Sequence, residues 1–364
     1  MKTRLLKNFF FGLLAAFVIA SGLTIFTATN ATTSFYYSVT DLGIVFRNYS
    51  NFQLKGINAA GQVVGVMEVP GGTTFQPRLH AFRWDNSSLK DLTPPDSKSS
   101  YAYDINNRGQ ILGRVQTNSG DSHFVVWNND GTMRVLNVLD KGRVSSISDI
   151  NDRGQIVGSM YTDTGSQAFL LDNGVIKELG TLGGRESSAV AINNKGQVIC
   201  NVTTMSPNYY QRTVLWENGT TRELGTLGGQ SSSARDINNT GQIIGMAEFR
   251  PNYPVSHPFS WKNGTMTDLT PADGRSINVT DINDRGGVIG TVQTSSYGYN
   301  AVLWKDGTMT DLNKLLPANS GWELTEPYSL NNYHINNKGQ IVGIGRFNGK
   351  DGHAVLLTPT WVTQ

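Results

Sequence analysis

Ile57-Asn58-Ala59-Ala60-Gly61-Gln62-Val63-Val64-Gly65 is the first of seven copies of one nonapeptide in a chain of 364 residues. The others read INNRGQILG from Ile105, INDRGQIVG from Ile150, INNKGQVIC from Ile192, INNTGQIIG from Ile237, INDRGGVIG from Ile282 and INNKGQIVG from Ile335. They start 48, 45, 42, 45, 45 and 53 residues apart. A fixed period of this length marks a repeat architecture. Asn-x-x-Gly between an Ile and a Gln-Ile-Val run reads as a short hairpin turn with Gly at its left-handed position.

Two further landmarks recur in each unit. An apolar tetrapeptide follows, usually ending in Trp: AFRW at 81–84, FVVW at 124–127, AFLL at 168–171, TVLW at 213–216, PFSW at 258–261, AVLW at 301–304 and AVLL at 354–357. An acidic or apolar residue before Leu comes next, as in Asp91-Leu92, Glu178-Leu179 and Asp268-Leu269. Asn173-Gly174, Asn218-Gly219, Asn263-Gly264 and Asp306-Gly307 separate these two landmarks. Asn-Gly and Asp-Gly suit two-residue hairpins, whose central residues both need positive φ. Each unit therefore holds four short strands. Strand A ends in Ile-Asn, B begins at Gln-Ile-Val-Gly, C is the Trp tetrapeptide, and D ends in Asp-Leu.

Four strands per unit, seven times over, predict an all-β fold, a seven-bladed β-propeller of four-stranded blades. The last unit lacks a D landmark after Leu357. The missing strand is found at the other end of the chain, in Tyr37-Ser38-Val39-Thr40-Asp41-Leu42-Gly43. A ring needs that strand to remove exposed sheet edges, and an open solenoid does not. A β-helix is the competing fold, but its coils do not need hairpin turns.

Composition narrows the function. Thirty Lys and Arg face 28 Asp and Glu, and charged residues make up only 16% of the chain. That balance argues against an electrostatically driven nucleic-acid binder. Gly (40 residues) and Asn (33) are abundant, as frequent turns require. A single cysteine, Cys200, excludes an internal disulfide and a cysteine-based zinc cage.

The N-terminus reads as an export signal over residues 1–31. Lys2, Arg4 and Lys7 precede an apolar run from Phe9 to Phe26, and Thr29-Asn30-Ala31 supplies a small-residue cleavage site. An uncleaved anchor is the alternative, because the run is long enough to span a bilayer. Cleavage removes three cations, leaving 27 against 28 carboxylates and a net charge of −1. The expected product is one propeller domain over 32–364, closed by strand 37–43. It is expected to be periplasmic or secreted, bacterial, and without membrane contact after cleavage.

The repeats resemble the HAF repeat family of extracellular repeat proteins. The family phrase, roughly D-L-G-T-L-G-G, then I-N-x-x-G-Q-x-x-G, then A-F-x-W, is met at Glu178–Gly184, at Glu223–Gly229 and in His80-Ala81-Phe82. The resemblance covers about residues 37–357. It implies secretion and a repeat fold, and no particular activity.

Candidate chemistry is sparse. His80, His123, His257 and His353 share one position before strand C, where Gln167, Arg212 and Asn300 stand in other units. Strand C is third from the axis, so these side chains are too far apart to share an ion bound at about 2 Å. Each is expected to donate a hydrogen bond to a backbone carbonyl in its own B–C loop. Asp104, Asp149, Asp236 and Asp281 precede Ile-Asn and are expected to cap the turn. No calcium-loop glutamate follows them. Cys200 reads as a small buried hydrophobe. No nucleophile elbow, phosphate loop or His-Glu-x-x-His is present. Neither a cofactor nor a metal is expected.

The B–C loops vary in length and content, and variable loops on a rigid scaffold commonly carry binding. Tyr161, Tyr209, Tyr210, Arg250, Tyr253, Tyr297 and Tyr299 are the candidate ligand contacts, offering flat apolar faces with polar tips. The favoured reading is a non-catalytic module that binds glycan or protein on this face. A polysaccharide lyase or hydrolase would need paired carboxylates, and Glu68, Asp121, Asp163 and Glu248 fall in different units. A structural envelope or matrix protein is the third class.

Overall fold

The computed structural model describes residues 33–46, 52–73, 76–139, 143–163, 165–205, 209–251, 255–294, 298–326, 332–350 and 352–363. The export signal read in residues 1–31 lies outside them. Phe35–Thr360 form one compact unit, made of seven antiparallel sheets. Blades 1 to 6 follow chain order, each running A-B-C-D from Gln53–Ile57 in blade 1 to Thr308–Asp311 in blade 6. The fold is the expected seven-bladed propeller of four-stranded blades. Among the described residues the one helical element is a single 3-10 turn, Leu312–Leu315.

Blade 7 is assembled from both ends of the chain. Ile341–Phe347 and Gly352–Thr363 pair in register as strands B and C. Thr33–Phe46 adds to Gly352–Thr363 as the outer strand D. That strand is longer than the 37–43 segment read from sequence. Strand A of this blade is split into Trp322–Glu323 and His334–Ile335, which pair with opposite ends of strand B. The split fits the 53-residue spacing before the last repeat. Part of the extra chain, Thr325–Glu326, turns back onto strand C of blade 6.

The repeat consensus is explained residue by residue. In blade 3, Asn151 Oδ1 accepts the backbone N–H groups of Arg153 and Gln155 at 3.0 Å each. Asn151 Nδ2 donates to Gln155 Oε1 at 2.8 Å, and Gln155 Nε2 donates to Asp172 at the end of strand C at 2.9 Å. The motif Gln thus ties the A–B turn to the neighbouring hairpin. The final Gly has a different cause. Strand A carries a bulge one residue before the Asp position in blades 1 to 6. A side chain on Gly158 would collide with the Ser146 carbonyl and crowd the Phe169 ring. Blade 4 carries Cys200 there, paired with Val214; Gly113, Gly290 and Gly343 face valines too, and nothing in the structure explains the exception.

Seven apolar clusters sit between adjacent blades, one per interface. The cluster joining blades 7 and 1 contains Leu42 and Ile44 of the N-terminal strand with Phe52, Phe82 and Trp84. Closure therefore buries a full interface, and burial of apolar area is the main favourable term in folding.

Candidate functional site

Strand A of every blade faces the axis, and its Ile-Asn end builds two rings of hydrogen bonds. In the first, Asn58 Nδ2 donates to the Asn106 carbonyl of the next blade, Asn106 to Asn151, Asn151 to Asn193, and so on round the propeller. Asn336 closes the circle on the Asn58 carbonyl at 2.9 Å. In the second, the next residue's side chain accepts the backbone N–H of the preceding blade, as Asp152 does from Asn107 at 2.7 Å. This ring opens at Ala59, which has no side chain to continue it.

The four aspartates before Ile-Asn do not cap their own turns, because the motif Asn does that. They bridge blades. Asp149 accepts Ile192 N–H at 2.7 Å, Asp236 accepts Ile282 at 3.0 Å, and Asp281 accepts Ile335 at 3.0 Å. They also form two carboxyl pairs, Asp104 with Asp149 and Asp236 with Asp281. Burial, and then the neighbouring carboxyl group, hold Asp149 and Asp236 well above the ordinary carboxylate range. Burial raises Asp104 as well. At Asp281 burial pulls the same way, but His334 at 3.3 Å outweighs it and the carboxyl sits low. A proton shared within each pair is what two buried like charges require. Among the described residues no group of three or more His, Cys, Asp or Glu is arranged to hold a metal ion.

Three of the four histidines before strand C make a different contact from the one expected; the fourth, His123, stands in a blade whose strand D ends in Val135 instead of an acid. His80 Nδ1 meets Asp91 at 2.6 Å, His257 meets Asp268 at 2.8 Å, and His353 meets Asp41 at 2.8 Å. Asn300 and Arg212 reach Asp311 and Glu223 in the same way, at 2.9 and 3.4 Å. The partner is the acidic residue that ends strand D, not a loop carbonyl. Antiparallel C–D pairing brings the two positions together, so the C and D landmarks are one polar clasp.

The loop residues read from sequence distribute over several blades. Tyr161 is the last residue but one of strand B of blade 3 and is 64% exposed. Tyr209, 58% exposed, and half-buried Tyr210 stand together on blade 4. The Arg185 guanidinium lies 5.4 Å from the Tyr209 ring, and that of Arg212 lies 5.9 Å from Tyr210. On blade 5, Arg250 stacks on Phe249 at 4.7 Å, and Phe249 stacks on His257 at 4.1 Å. Half-buried Tyr299 opens strand C of blade 6 opposite Glu326. Tyr253 and Tyr297 lie outside the described residues. Arg185 was missed in the sequence because it follows Gly183-Gly184, a stretch that reads only as crossover. Asp121 and Glu248, two of the acids a lyase or hydrolase would have used, are occupied locally by Ser119 and by the Gln230 N–H.

No protein-family profile matches the chain, and no curated protein matches it by sequence. Solved structures match by shape. The β-propeller domain of the Trilobed protease from Pyrococcus furiosus, described with an open velcro topology, gives a TM-score of 0.57 at 11% identity, covering 86% of this chain and 98% of that one. A puromycin hydrolase mutant complexed with PGG gives 0.52 at 13% identity, covering 80% of this chain and 50% of that one. A prolyl endopeptidase gives 0.51 at 10% identity, over 88% and 50%. The chain thus spans half the length of these two enzymes. At such identities the likeness shows the fold, a β-propeller, and nothing finer. No helix among the described residues is long and apolar enough to cross a membrane.

Proposed function

We propose that this protein is an exported, non-catalytic binding module that engages a glycan or protein ligand through the B–C loop face of its propeller. The observation that carries the reading is the pair of arginine–aromatic stacks on blade 4, where Tyr209 remains largely exposed beneath Arg185. A solvent-facing aromatic held by a cation is a rigid platform with an apolar face and a polar rim, which suits a sugar ring or a protein surface. The basic N-terminal segment and the resemblance to HAF repeat proteins support export.

A glycan array and a proteome-wide exterior pull-down with the purified protein test the proposal. The Tyr209→Ala/Tyr210→Ala double variant is expected to weaken any ligand found by about tenfold, ~1.4 kcal/mol. Exposed loop changes of this kind usually alter stability by less than about 0.5 kcal/mol. Unchanged affinity in a folded double variant would move the site off blade 4. Turnover of a polysaccharide panel would replace the reading with the enzymatic one.

A further inference from the structure

The propeller's two faces treat their charges differently. On the B–C face His80, Arg185, Arg212, His257, Arg275 and His353 each meet a carboxylate. The opposite face carries the A–B turns and C–D hairpins. There Lys or Arg occupies the third turn position in five of seven repeats, as in Arg108, Arg153 and Lys195. Six of the seven units also place a Lys or Arg on or beside the C–D hairpin, as in Arg134, Lys177 and Arg222. Among the described residues none of these cations forms an ion pair, while the other face accounts for every described pair except His334–Asp281 on the axis. The cations of this face are thus outside ion pairs among the described residues, although acids such as Asp152, Asp172 and Asp284 share the face.

On this face the cation of one blade's strand D reaches over the groove to the next blade. Lys177 lies over the Trp216 ring at 4.7 Å, and Arg222 over Trp261 at 5.0 Å. Those aromatic rings occupy the cations. The groove between blades 2 and 3 differs, because blade 3 carries Leu171 where most blades have Trp. Arg134 consequently has neither an aromatic ring nor a carboxylate. Arg108 and Arg153 line the same groove, a space of about 440 Å³ floored by Leu136, Val138 and Leu171. All three arginines are exposed, and its described lining contains no carboxylate. Arg153 is shared with the adjoining groove between blades 3 and 4, whose lining adds Lys195 and the Trp216-stacked Lys177 together with one carboxylate, Asp172.

We infer that this face docks an acidic polysaccharide, and that the Arg108–Arg134–Arg153 groove is its principal anion site. Arginine presents a planar fork that pairs bidentately with carboxylate, sulfate or phosphate oxygens. Three such forks around one groove with an apolar floor suit one anionic sugar unit, and the adjoining groove offers the next unit a second set of cations. Single-stranded nucleic acid fits less well, since it needs exposed aromatics for base stacking. The described lining of the Arg108–Arg134–Arg153 groove contains no aromatic side chain.

The test is equilibrium binding of the purified protein to polygalacturonate, dextran sulfate, neutral dextran and duplex DNA. Binding is compared at about 0.05 M and about 0.5 M salt, where screening lengths differ severalfold. Arg108→Gln/Arg134→Gln/Arg153→Gln and the triple Arg→Lys variant are run beside the wild type, each with its melting curve. The expected result is salt-sensitive binding to one or both acidic glycans and none to dextran. The Gln variant should lose about tenfold or more, while the Lys variant keeps part of the affinity. Tyr209→Ala/Tyr210→Ala on the other face should leave this binding unchanged, which separates the inference from the function proposed above. Carboxylate or sulfate as the preferred anion is decided by which glycan binds more tightly. Equal binding by wild type and a folded Gln variant, equal binding to dextran, or tighter binding to DNA than to either glycan would overturn it.

Discussion

His353 and Asp41, 312 residues apart in the chain, meet at 2.8 Å in the same C–D clasp that His80 makes with Asp91 and His257 with Asp268 inside single blades. The N-terminal strand therefore occupies the register of a native strand D. Asp41 fills the clasp, and Leu42 is buried where Leu92 is buried in blade 1. Deleting residues 32–43 should expose the edge of Gly352–Thr363 and produce aggregation, because unpaired strand edges recruit other chains. Light scattering and size-exclusion chromatography read the outcome. A monomer with an unchanged melting curve would mean that closure contributes nothing.

Leu42→Ala is the gentler version. It leaves the strand in place and opens a cavity in the blade 7–blade 1 cluster. Large-to-small changes at such sites cost about 2–5 kcal/mol. Asp41→Ala should cost far less, about 0.2–1 kcal/mol, because the pair is partly exposed. Urea denaturation of both variants should separate them clearly, and equal losses would contradict the placement of Leu42.

The asparagine ring makes Asn151 a more sensitive position than its surface-turn sequence suggests. Its buried side chain makes four hydrogen bonds, two to its own turn's N–H groups, one to Gln155 and one to the Asn193 carbonyl. Asn151→Ala should cost about 2–4 kcal/mol, since each lost bond is worth about 1 kcal/mol and unmatched groups stay buried. Asn151→Asp keeps the acceptor and loses the donor, so it tests the inter-blade bond. A stability for Asn151→Asp equal to wild type at neutral pH would show that the ring is ornamental.

The fold was legible because the determinants of blade number are local. Asn-Gly specifies a hairpin through φ, Asn-x-x-Gly does so through a left-handed Gly and an Asn side chain that accepts its own turn's N–H groups, and the Asp41-Leu42 landmark supplied the missing strand. What joins the blades was not legible. The motif Asn plainly mattered, but its partner lies 42 to 53 residues on, or 278 residues back for Asn336. The histidines and the strand D acids were both visible as landmarks, yet their contact needs the C–D register. The arginine groove depends on Leu171 standing opposite Arg134 across a blade boundary. A tetrapeptide ending in Leu rather than Trp carries no sign of that.

Cys200 should be chemically silent in the folded protein. It is fully buried, and burial pushes its thiol up to about 12. A thiolate is the reactive species, so neither access nor ionisation favours attack. A thiol-specific reagent at mildly alkaline pH should label it only as the propeller unfolds, with a rate that follows denaturant. Rapid labelling without denaturant would mean that blade 4 opens locally.

The axial aspartates make stability depend on pH in a direction opposite to the usual carboxylate. Asp149 and Asp236 bind their protons more tightly when folded, because burial and a facing carboxyl disfavour the charged form. Linkage then has the folded state holding more protons than the unfolded one once pH passes the ordinary carboxylate range. Their contribution is fully present below that range and is lost as pH rises through their raised folded values. Asp281, Asp91 and Asp268 run the other way. Burial raises each, but histidine contacts outweigh it, so their contribution is lost as pH falls through the lowered folded values. Asp149→Asn and Asp236→Asn replace a protonated acid with a neutral amide that can still donate to the facing carboxylate. Melting temperatures should therefore converge with wild type in mild acid, and the variants should gain on it toward alkaline pH. Asp281→Asn should do the reverse, because it leaves His334 without its anion. A pH profile for Asp149→Asn that runs parallel to wild type would mean that the Asp104–Asp149 pair shares no proton.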